Sequence, residues 1–435
     1  MSSRLGIGTA RLPGKGEALE RLKEAMVRSL QKGTFRVVDT SSIFENGEET
    51  VADVLKEIGE EQRSQVMVVS KCGYSATAFG STDEIEVEPG IWHSLSGAAV
   101  SSAINSSLER LDVPSIDCYM LQNPEHAFDK DLDANIIERL LPGMRELEKA
   151  CHDKVISSYG VSSNALALPE EDQRCVRVDT LLGAATIAAH DVGNDSHSLR
   201  ALQLPLNPLE TAGLEAIRSA SSKGLHVMTY RGLTAYDALG SWKLVAHDAA
   251  EHQDAESGPC MREMRRIRDE TWDCFSPPPP LDASAPTEEE LEIIEACAFL
   301  STLVRDLDAE ITNFTSLSHY EQNLMQNVIP TIDKKIEGMD ETSADQLESF
   351  FKSYGSAVRE VVQHRTRLHL SATIDPLSSG ASSASIATRM TTHEIPKSQP
   401  LHEYALKWQM SERAIGTVLV GASAAEQIDE YSENF

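Results

Sequence analysis

The feature that most constrains the fold of this chain is a regular alternation of short apolar runs with longer segments of helical spacing. Such runs are typical of buried parallel strands, and parallel neighbours need crossover connections, which are usually helices. Seven runs occupy the first 235 residues and an eighth lies near the C-terminus: 4–9, 35–39, 65–71, 115–121, 155–161, 201–206, 225–230 and 417–422. Eight strand–helix units predict an α/β fold, a closed (β/α)8 TIM barrel.

The segments between the runs have the spacing of amphipathic helices. In the first of them Leu19, Leu22, Met26 and Leu30 share one face, and Gly33 follows as a C-terminal stop. A doubly wound open sheet is the alternative fold. It is disfavoured because no G-x-G-x-x-G motif opens a helix after the first strand.

The alternation breaks between residues 236 and 400. This stretch contains SPPPP at 276–280, which predicts an extended loop, and a Ser/Ala-rich segment at 377–385, which predicts a flexible linker. Long helical patterns lie between the two. We therefore predict three parts: the first seven barrel strands in 1–235, a long, partly helical insertion between strands 7 and 8 in 236–400, and the last helix, strand and helix of the barrel in 401–435.

Composition and charge exclude several classes of partner. The 39 Lys and Arg residues against 68 Asp and Glu residues give a formal charge of −29, which argues against a nucleic-acid or anionic-membrane surface. No apolar run is long enough to predict a membrane span. The seven cysteines contain no C-x-x-C pair, so neither a metal site nor a disulfide framework is expected. A reducing compartment follows: the cytoplasm, with the mitochondrial matrix as the alternative.

Five segments, in this order along the chain, carry a resemblance to a known family: DTSSIFENGEE, VVSKCGY, SLERLDVPSIDCYMLQNPE, YGVSSN and GASAAEQIDEY. Together they resemble the aldo-keto reductases, which are (β/α)8 barrels that bind NADP(H) and reduce carbonyl groups. The resemblance covers about residues 1–235 and 400–431. It implies an NADP(H)-dependent oxidoreductase fold.

The resemblance also implies four catalytic residues, an Asp, a Tyr, a Lys and a His, at the carboxyl ends of the barrel strands. Asp39 and Lys71 match two of them, whereas Phe44 occupies the Tyr position and Gln122 the His position. Hydride transfer to a carbonyl carbon produces an alkoxide, which must receive a proton or be stabilised. Both departures therefore affect the handling of that proton.

Two functions follow from this pattern. The first is a degenerate, nucleotide-binding pseudoenzyme or complex subunit with little or no reductase activity. The second is an active NADP(H)-dependent oxidoreductase on a small carbonyl or sugar, with Tyr74 or His126 as the replacement acid. A metal-dependent hydrolase has little support, because neither H-x-H nor H-E-x-x-H occurs in the sequence.

The resemblance implies a set of cofactor-binding positions at the strand ends. Ser162, Ser163 and Gln203 would bind the nicotinamide amide, with Asn164 as the alternative to Ser163, and Tyr230 would stack on the ring. Gly8 and Thr9 would border the site. The adenosine end would lie against the segment that contains Gly421, Ser423, Gln427 and Glu430. No basic residue occurs in 417–431 to hold a 2′-phosphate, so the NADP preference and binding itself stay open.

The insertion is also the candidate for a protein partner. Its helical patterns are amphipathic, and such helices need a surface to cover their apolar faces. The barrel of the same chain is one such surface, and another protein is the other.

Overall fold

The computed structural model describes residues 4–81, 83–130, 135–237, 240–244, 258–275, 287–314, 320–321, 323–333, 341–378, 400–421 and 423–435. The predicted loop at 276–280 lies outside these residues, as does the predicted linker beyond residue 378. The described chain divides into two compact units, residues 1–232 with 406–435 and residues 233–405.

The strands follow the sequence pattern closely. In chain order they are β1 (Leu5–Gly8), β2 (Phe35–Asp39), β3 (Met67–Cys72), β4 (Tyr74–Ser75), β5 (Ile85–Glu88), β6 (Ile91–His93), β7 (Cys118–Gln122), β8 (Tyr159–Ser162), β9 (Leu199–Pro205), β10 (His226–Tyr230), β11 (Thr234–Asp237), β12 (Gly240–Lys243) and β13 (Thr417–Gly421).

The helices are named in the same way. They are α1 (Glu17–Lys32), α2 (Gly47–Arg63), α3 (Gly97–Leu111), α4 (Ala127–Lys130), α5 (Ile136–His152), α6 (Val178–Asp191), α7 (Leu214–Ser222), α8 (Pro259–Phe275), α9 (Glu288–Glu310), α10 (Ile329–Asp333), α11 (Glu341–Ser378), α12 (Leu401–Ser411) and α13 (Ala425–Asn434).

Eight of the strands close into a barrel in the order β1-β13-β10-β9-β8-β7-β3-β2, and every neighbouring pair is parallel. The predicted (β/α)8 barrel is confirmed, and the open sheet is excluded. Each predicted apolar run overlaps one barrel strand. The largest differences are at β7 and β8, which begin three and four residues later than predicted, because Ile116 and Ile156 form only an isolated bridge before them.

The barrel helices bury the faces that the sequence pattern predicts. In α1 the residues Leu19, Leu22, Met26 and Leu30 are buried, and the helix ends at Gly33, whose φ of 74° lies in the left-handed region. The register of the strands then brings their carboxyl ends to one side of the barrel, which is where (β/α)8 enzymes place their active sites.

Two small sheets were not predicted from the sequence. An antiparallel sheet of β4, β5 and β6 lies between β3 and α3, and β11 with β12 forms a hairpin. Their strands are only two to four residues long, so the alternation of apolar and polar residues is too brief to read.

The unit of residues 233–405 has a hydrophobic core of its own, built from α8, α9 and α11. Its fully buried members include Met264, Leu300, Val304, Phe350 and Tyr354. The sequence patterns predicted α9 and α11 but not α8, whose four arginines and four acidic residues obscure its apolar face. Among the described residues, no helix is long and apolar enough to cross a membrane.

Candidate active site

A buried ion pair lies at the carboxyl ends of β2 and β3. The Lys71 Nζ atom lies 2.7 Å from Asp39 Oδ2, and the side chains are 2% and 8% exposed. Lys71 also donates to the Thr40 carbonyl oxygen at 2.8 Å. Isolated charges are costly to bury, so each of these two groups depends on the other.

Asp39 accepts a second hydrogen bond from across the barrel. Gln203 Nε2 donates to Asp39 Oδ1 at 2.7 Å, and Ser162 Oγ donates to Gln203 Oε1 at 2.7 Å. All of these side chains are buried. Each oxygen of the Asp39 carboxylate therefore accepts a hydrogen bond. A series of side-chain hydrogen bonds runs from Ser162 through Gln203 and Asp39 to Lys71.

Phe44 lies beside the ammonium group of Lys71. The Nζ atom is 5.3 Å from the centre of the Phe44 ring, which is within the range of a cation–π interaction. The ring carries no hydroxyl group. The cation that would favour a phenolate at this position faces an aromatic ring that can neither donate nor accept a proton.

Gln122 ends β7 and is anchored at two points. Its side-chain Oε1 accepts a hydrogen bond from Ser41 Oγ at 3.0 Å, and its backbone oxygen lies 2.8 Å from His93 Nε2. Among the residues that the structure describes, its Nε2 amide has no hydrogen-bond partner. That amide could donate a hydrogen bond to a carbonyl oxygen, but it cannot transfer a proton near neutral pH.

The two residues that follow Ser162 point in different directions. Ser163 is buried and donates to Glu125 Oε2 at 2.7 Å, whereas the Asn164 side-chain oxygen accepts a hydrogen bond from Tyr230 Oη at 2.8 Å. Burial raises the pKa of the Tyr230 phenol above its usual value. Of the two alternatives, Asn164 is therefore the residue next to Tyr230.

Glu125, which was not among the predicted site residues, organises this loop. Its carboxylate accepts hydrogen bonds from Ser163 Oγ and from the backbone N–H groups of Asn164 and Ala165. Burial raises the pKa of the Glu125 carboxyl above its usual value. The sequence could have pointed to Glu125, because it is the last residue of the LQNPE segment that carries the resemblance.

The remaining nucleotide positions lie around the ends of β1 and β13. Thr9 donates from Oγ1 to Thr40 Oγ1 at 2.8 Å, and Gly8 precedes it at the strand end. Gly421 is exposed, and an added Cβ there would have no neighbour within 4 Å in the described part of the chain. Gln427 Oε1 accepts from the backbone N–H of Ser423 at 2.8 Å.

Glu430 lies on the same helix, α13, and is half-buried. The structure therefore groups the residues expected around the adenosine on the loop after β13 and on the helix that follows it.

The two candidate replacement acids contact each other. Tyr74 Oη lies 2.6 Å from His126 Nε2, and His126 Nδ1 lies 2.5 Å from Asp129 Oδ2. Asn123 Nδ2 donates to Tyr74 Oη at 2.7 Å. Burial raises the pKa of Tyr74 to about 12, so the phenol keeps its proton at neutral pH.

The ring of His93 packs edge-on against both Tyr74 and His126. Burial lowers the pKa of His93 to about 3. Neither His93 nor Asp129 could be identified from the sequence, because both join this cluster through tertiary contacts. Among the described residues, no group of His, Cys, Asp and Glu side chains could hold a metal ion.

Comparisons with known proteins add a family and a set of similar structures. Residues 4–176 match the Aldo/keto reductase family. The chain is similar to the holo form of an aldo-keto reductase from Bacillus halodurans, with 14% identity over 99% of this chain and 86% of that chain and a TM-score of 0.47. It is also similar to a glycerol dehydrogenase from Gluconobacter oxydans, with 15% identity over 100% of this chain and 86% of that chain and a TM-score of 0.46. The search of curated proteins gave no match.

Proposed function

We propose that this chain, whose residues 4–176 belong to the aldo/keto reductase family, is a nucleotide-binding barrel with little or no reductase activity. The observation that carries the proposal is the contact between the Lys71 ammonium and the Phe44 ring. The Asp39–Lys71 ion pair could lower the pKa of a phenol at this position, but the side chain of Phe44 carries no hydroxyl group.

The chemistry explains why this substitution is severe. The alkoxide that forms on hydride transfer needs a proton, and general acid catalysis contributes about 10²–10⁴-fold to the rate. Phe44 has no proton to give, and the amide of Gln122 offers only a hydrogen bond. Lys71 donates hydrogen bonds to Asp39 and to the Thr40 oxygen, so its ammonium group stabilises the buried ion pair.

The residues around the strand ends fit a nicotinamide dinucleotide. Ser162, Gln203 and Asn164 offer the hydroxyl and amide groups that a carboxamide needs, and Tyr230 offers an aromatic ring beside them. Ser162 and Gln203 are bonded to each other, so a bound carboxamide would replace or share that bond. A reduced nicotinamide would supply a hydride, and the resemblance makes NADP(H) the expected form.

A second candidate function is an active oxidoreductase with a different proton donor. The observation that favours it is the hydrogen bond between Tyr74 and His126, with Asp129 behind the imidazole. Tyr74 lies three residues beyond Lys71, at the same end of the barrel. In this scheme the phenol would protonate the alkoxide and recover its proton from His126.

The helical unit is the proposed site for a protein partner. Leu291, Ile293 and Ile294 lie within four residues near the start of α9 and are 45%, 60% and 40% exposed. Large apolar side chains grouped at the surface are a feature of interaction sites. We place the protein in the cytoplasm, or alternatively in the mitochondrial matrix, because its cysteines form no disulfides among the described residues.

The experiment that tests the proposal measures binding and turnover on the same sample. Binding of NADPH and NADH would be followed by protein fluorescence, and turnover with a panel of aldehydes and aldoses. We expect binding without turnover in the unmodified chain and a gain of activity in the Phe44→Tyr/Gln122→His variant. Tyr74→Phe would serve as the control for the second candidate.

Each result has a distinct meaning. Turnover by the unmodified chain that is lost in Tyr74→Phe would replace the first function with the second. Failure of both nucleotides to bind would contradict both functions.

A further inference from the structure

A polar cavity lies at the amino-terminal ends of the barrel strands, on the side away from the candidate active site. Its volume is about 630 Å³, which is within the range of small-molecule sites. The lining residues lie at or near the starts of β2, β3, β10 and β13, and all belong to the unit of residues 1–232 with 406–435. This face of a (β/α)8 barrel ordinarily contributes to stability and not to catalysis. The cavity is therefore separate from the proposed nucleotide site.

Arg36 supplies the cavity with a cation. It is the second residue of β2 and is partly exposed, and its Nη2 atom lies 2.6 Å from the position of a Cβ added at Gly33. Across the described ranges, its guanidinium group forms no ion pair and no hydrogen bond. Arg63, by contrast, donates to Asp117 Oδ2 at 2.9 Å and to the Val66 oxygen at 2.7 Å. The free N–H groups of the planar Arg36 guanidinium match the oxygens of a carboxylate or a phosphate.

His226 and Gln65 supply the cavity with neutral polar atoms. His226 Nε2 lies 3.0 Å from Thr417 Oγ1, and the imidazole ring packs so closely on Gly416 that a Cβ added there would lie 2.4 Å from the His226 Cε1 atom. Burial lowers the pKa of His226, so the ring is neutral at neutral pH. His226 Nδ1 and the side-chain oxygen of Gln65 have no hydrogen-bond partner among the described residues. Both atoms can therefore bond to a ligand hydroxyl group.

The charges around the cavity favour an anion over a cation. Asp117 is the one carboxylate among the lining residues, and its Oδ2 atom already accepts hydrogen bonds from Arg63 and from the Val68 N–H group. The charge of Asp117 is thus compensated by Arg63, and the charge of Arg36 is left over. The whole chain carries a formal charge of −29, so most of its surface repels anions. A single uncompensated guanidinium in a cavity is therefore a selective place for an anion to bind.

We propose that this cavity is a second ligand site, which binds a small organic anion through Arg36 and the hydroxyl groups of that anion through His226 and Gln65. A carboxylate or a phosphate monoester would accept two parallel hydrogen bonds from the guanidinium, the arrangement that gives arginine its preference for these groups. The site does not depend on nucleotide binding, because none of its residues belongs to the candidate active site.

The test measures anion binding by isothermal titration calorimetry with L-lactate, glycerol 3-phosphate, inorganic phosphate and glycerol. Lactate and glycerol 3-phosphate distinguish the two anionic groups, and glycerol carries hydroxyl groups without a charge. The unmodified chain would be compared with Arg36→Gln and with Arg413→Gln. Arg413 is exposed, lies four residues before β13 and does not line the cavity. Arg36→Gln removes no contact within the described structure and should fold, which circular dichroism would check.

We expect lactate or glycerol 3-phosphate to bind more tightly than glycerol, and Arg36→Gln to weaken that binding at least about tenfold. Arg413→Gln removes the same charge outside the cavity and should weaken binding less than about threefold. Binding of inorganic phosphate as tight as that of the organic anions would overturn the role of His226 and Gln65. Failure of all three anions to bind at about 10 mM, or equal affinities in the unmodified chain and Arg36→Gln, would overturn the inference and leave the proposed function intact.

Discussion

The buried pair of Asp39 and Lys71 makes a quantitative prediction for folding stability. Replacing Lys71 by Met removes the cation and leaves the Asp39 carboxylate almost fully buried, with the Gln203 amide as its one remaining side-chain donor among the described residues. Breaking a buried ion pair by removing one partner costs about 3–5 kcal/mol. Because Gln203 still donates to Asp39, we expect a loss of about 3 kcal/mol in the free energy of unfolding, at the lower end of that range.

A double-mutant cycle separates the pair from other effects of the substitution. Asp39→Asn alone should cost about as much, since it leaves the Lys71 ammonium buried with the Thr40 oxygen and a neutral amide. The double variant carries no charge at either of these two positions, so its loss should be well below the sum of the two single losses. We expect a coupling energy of about 3 kcal/mol.

The assay is urea unfolding followed by circular dichroism, with hydrogen exchange of peptides from β2 and β3 to report on the barrel itself. The matched control is Lys56→Met, because Lys56 pairs with Asp112 at an exposed surface where both side chains are more than half exposed. The control should leave the unfolding free energy nearly unchanged. A loss below about 1 kcal/mol for Lys71→Met, or single losses that simply add in the double variant, would refute the reasoning.

Two further predictions concern the cluster around His93. Burial lowers the pKa of His93 from 6.5 to about 3, so between these pH values the unfolded chain binds a proton that the folded chain does not. The free energy of unfolding should therefore fall by about 2 kcal/mol from pH 7 to pH 5, and His93→Gln should flatten this pH dependence. An unchanged pH dependence in the variant would contradict the assignment of the effect to His93. Gly73 has a φ of 132°, and an added Cβ would lie 2.9 Å from both the Gln122 oxygen and His93 Nε2. Thermal unfolding should therefore show that Gly73→Ala lowers the free energy of unfolding by about 1–3 kcal/mol. Gly14→Ala should lower it by almost nothing, because no described atom lies within 4 Å of a Cβ added at Gly14. Equal losses in the two variants would contradict this prediction.

The sequence predicted the barrel because its signals are local and repeated. Each strand is a short apolar run, each helix has an apolar face, and parallel strands leave few other architectures. The residues at the strand ends could also be placed, since Asp39, Gln122 and Ser162 each end a strand in the structure. Their position at one end of the barrel follows from the topology.

The hydrogen bonds between these residues could not be predicted in the same way. Gln203 and Asp39 are separated by 164 positions, and their bond crosses the barrel. His93 joins the site only through β6, a three-residue strand in a small sheet with no sequence signal. Such contacts depend on tertiary geometry, which no local spacing encodes.

The burial of Asp39 and Lys71 changes what their presence implies about function. A buried ion pair resists the loss of either partner, because the remaining charge would lie in the protein interior without compensation. Its presence is therefore expected on grounds of stability alone and does not argue for turnover. Phe44 is the residue that argues against turnover. Its ring packs beside the Lys71 ammonium without disturbing the ion pair, and it lacks the proton that reduction of a carbonyl requires.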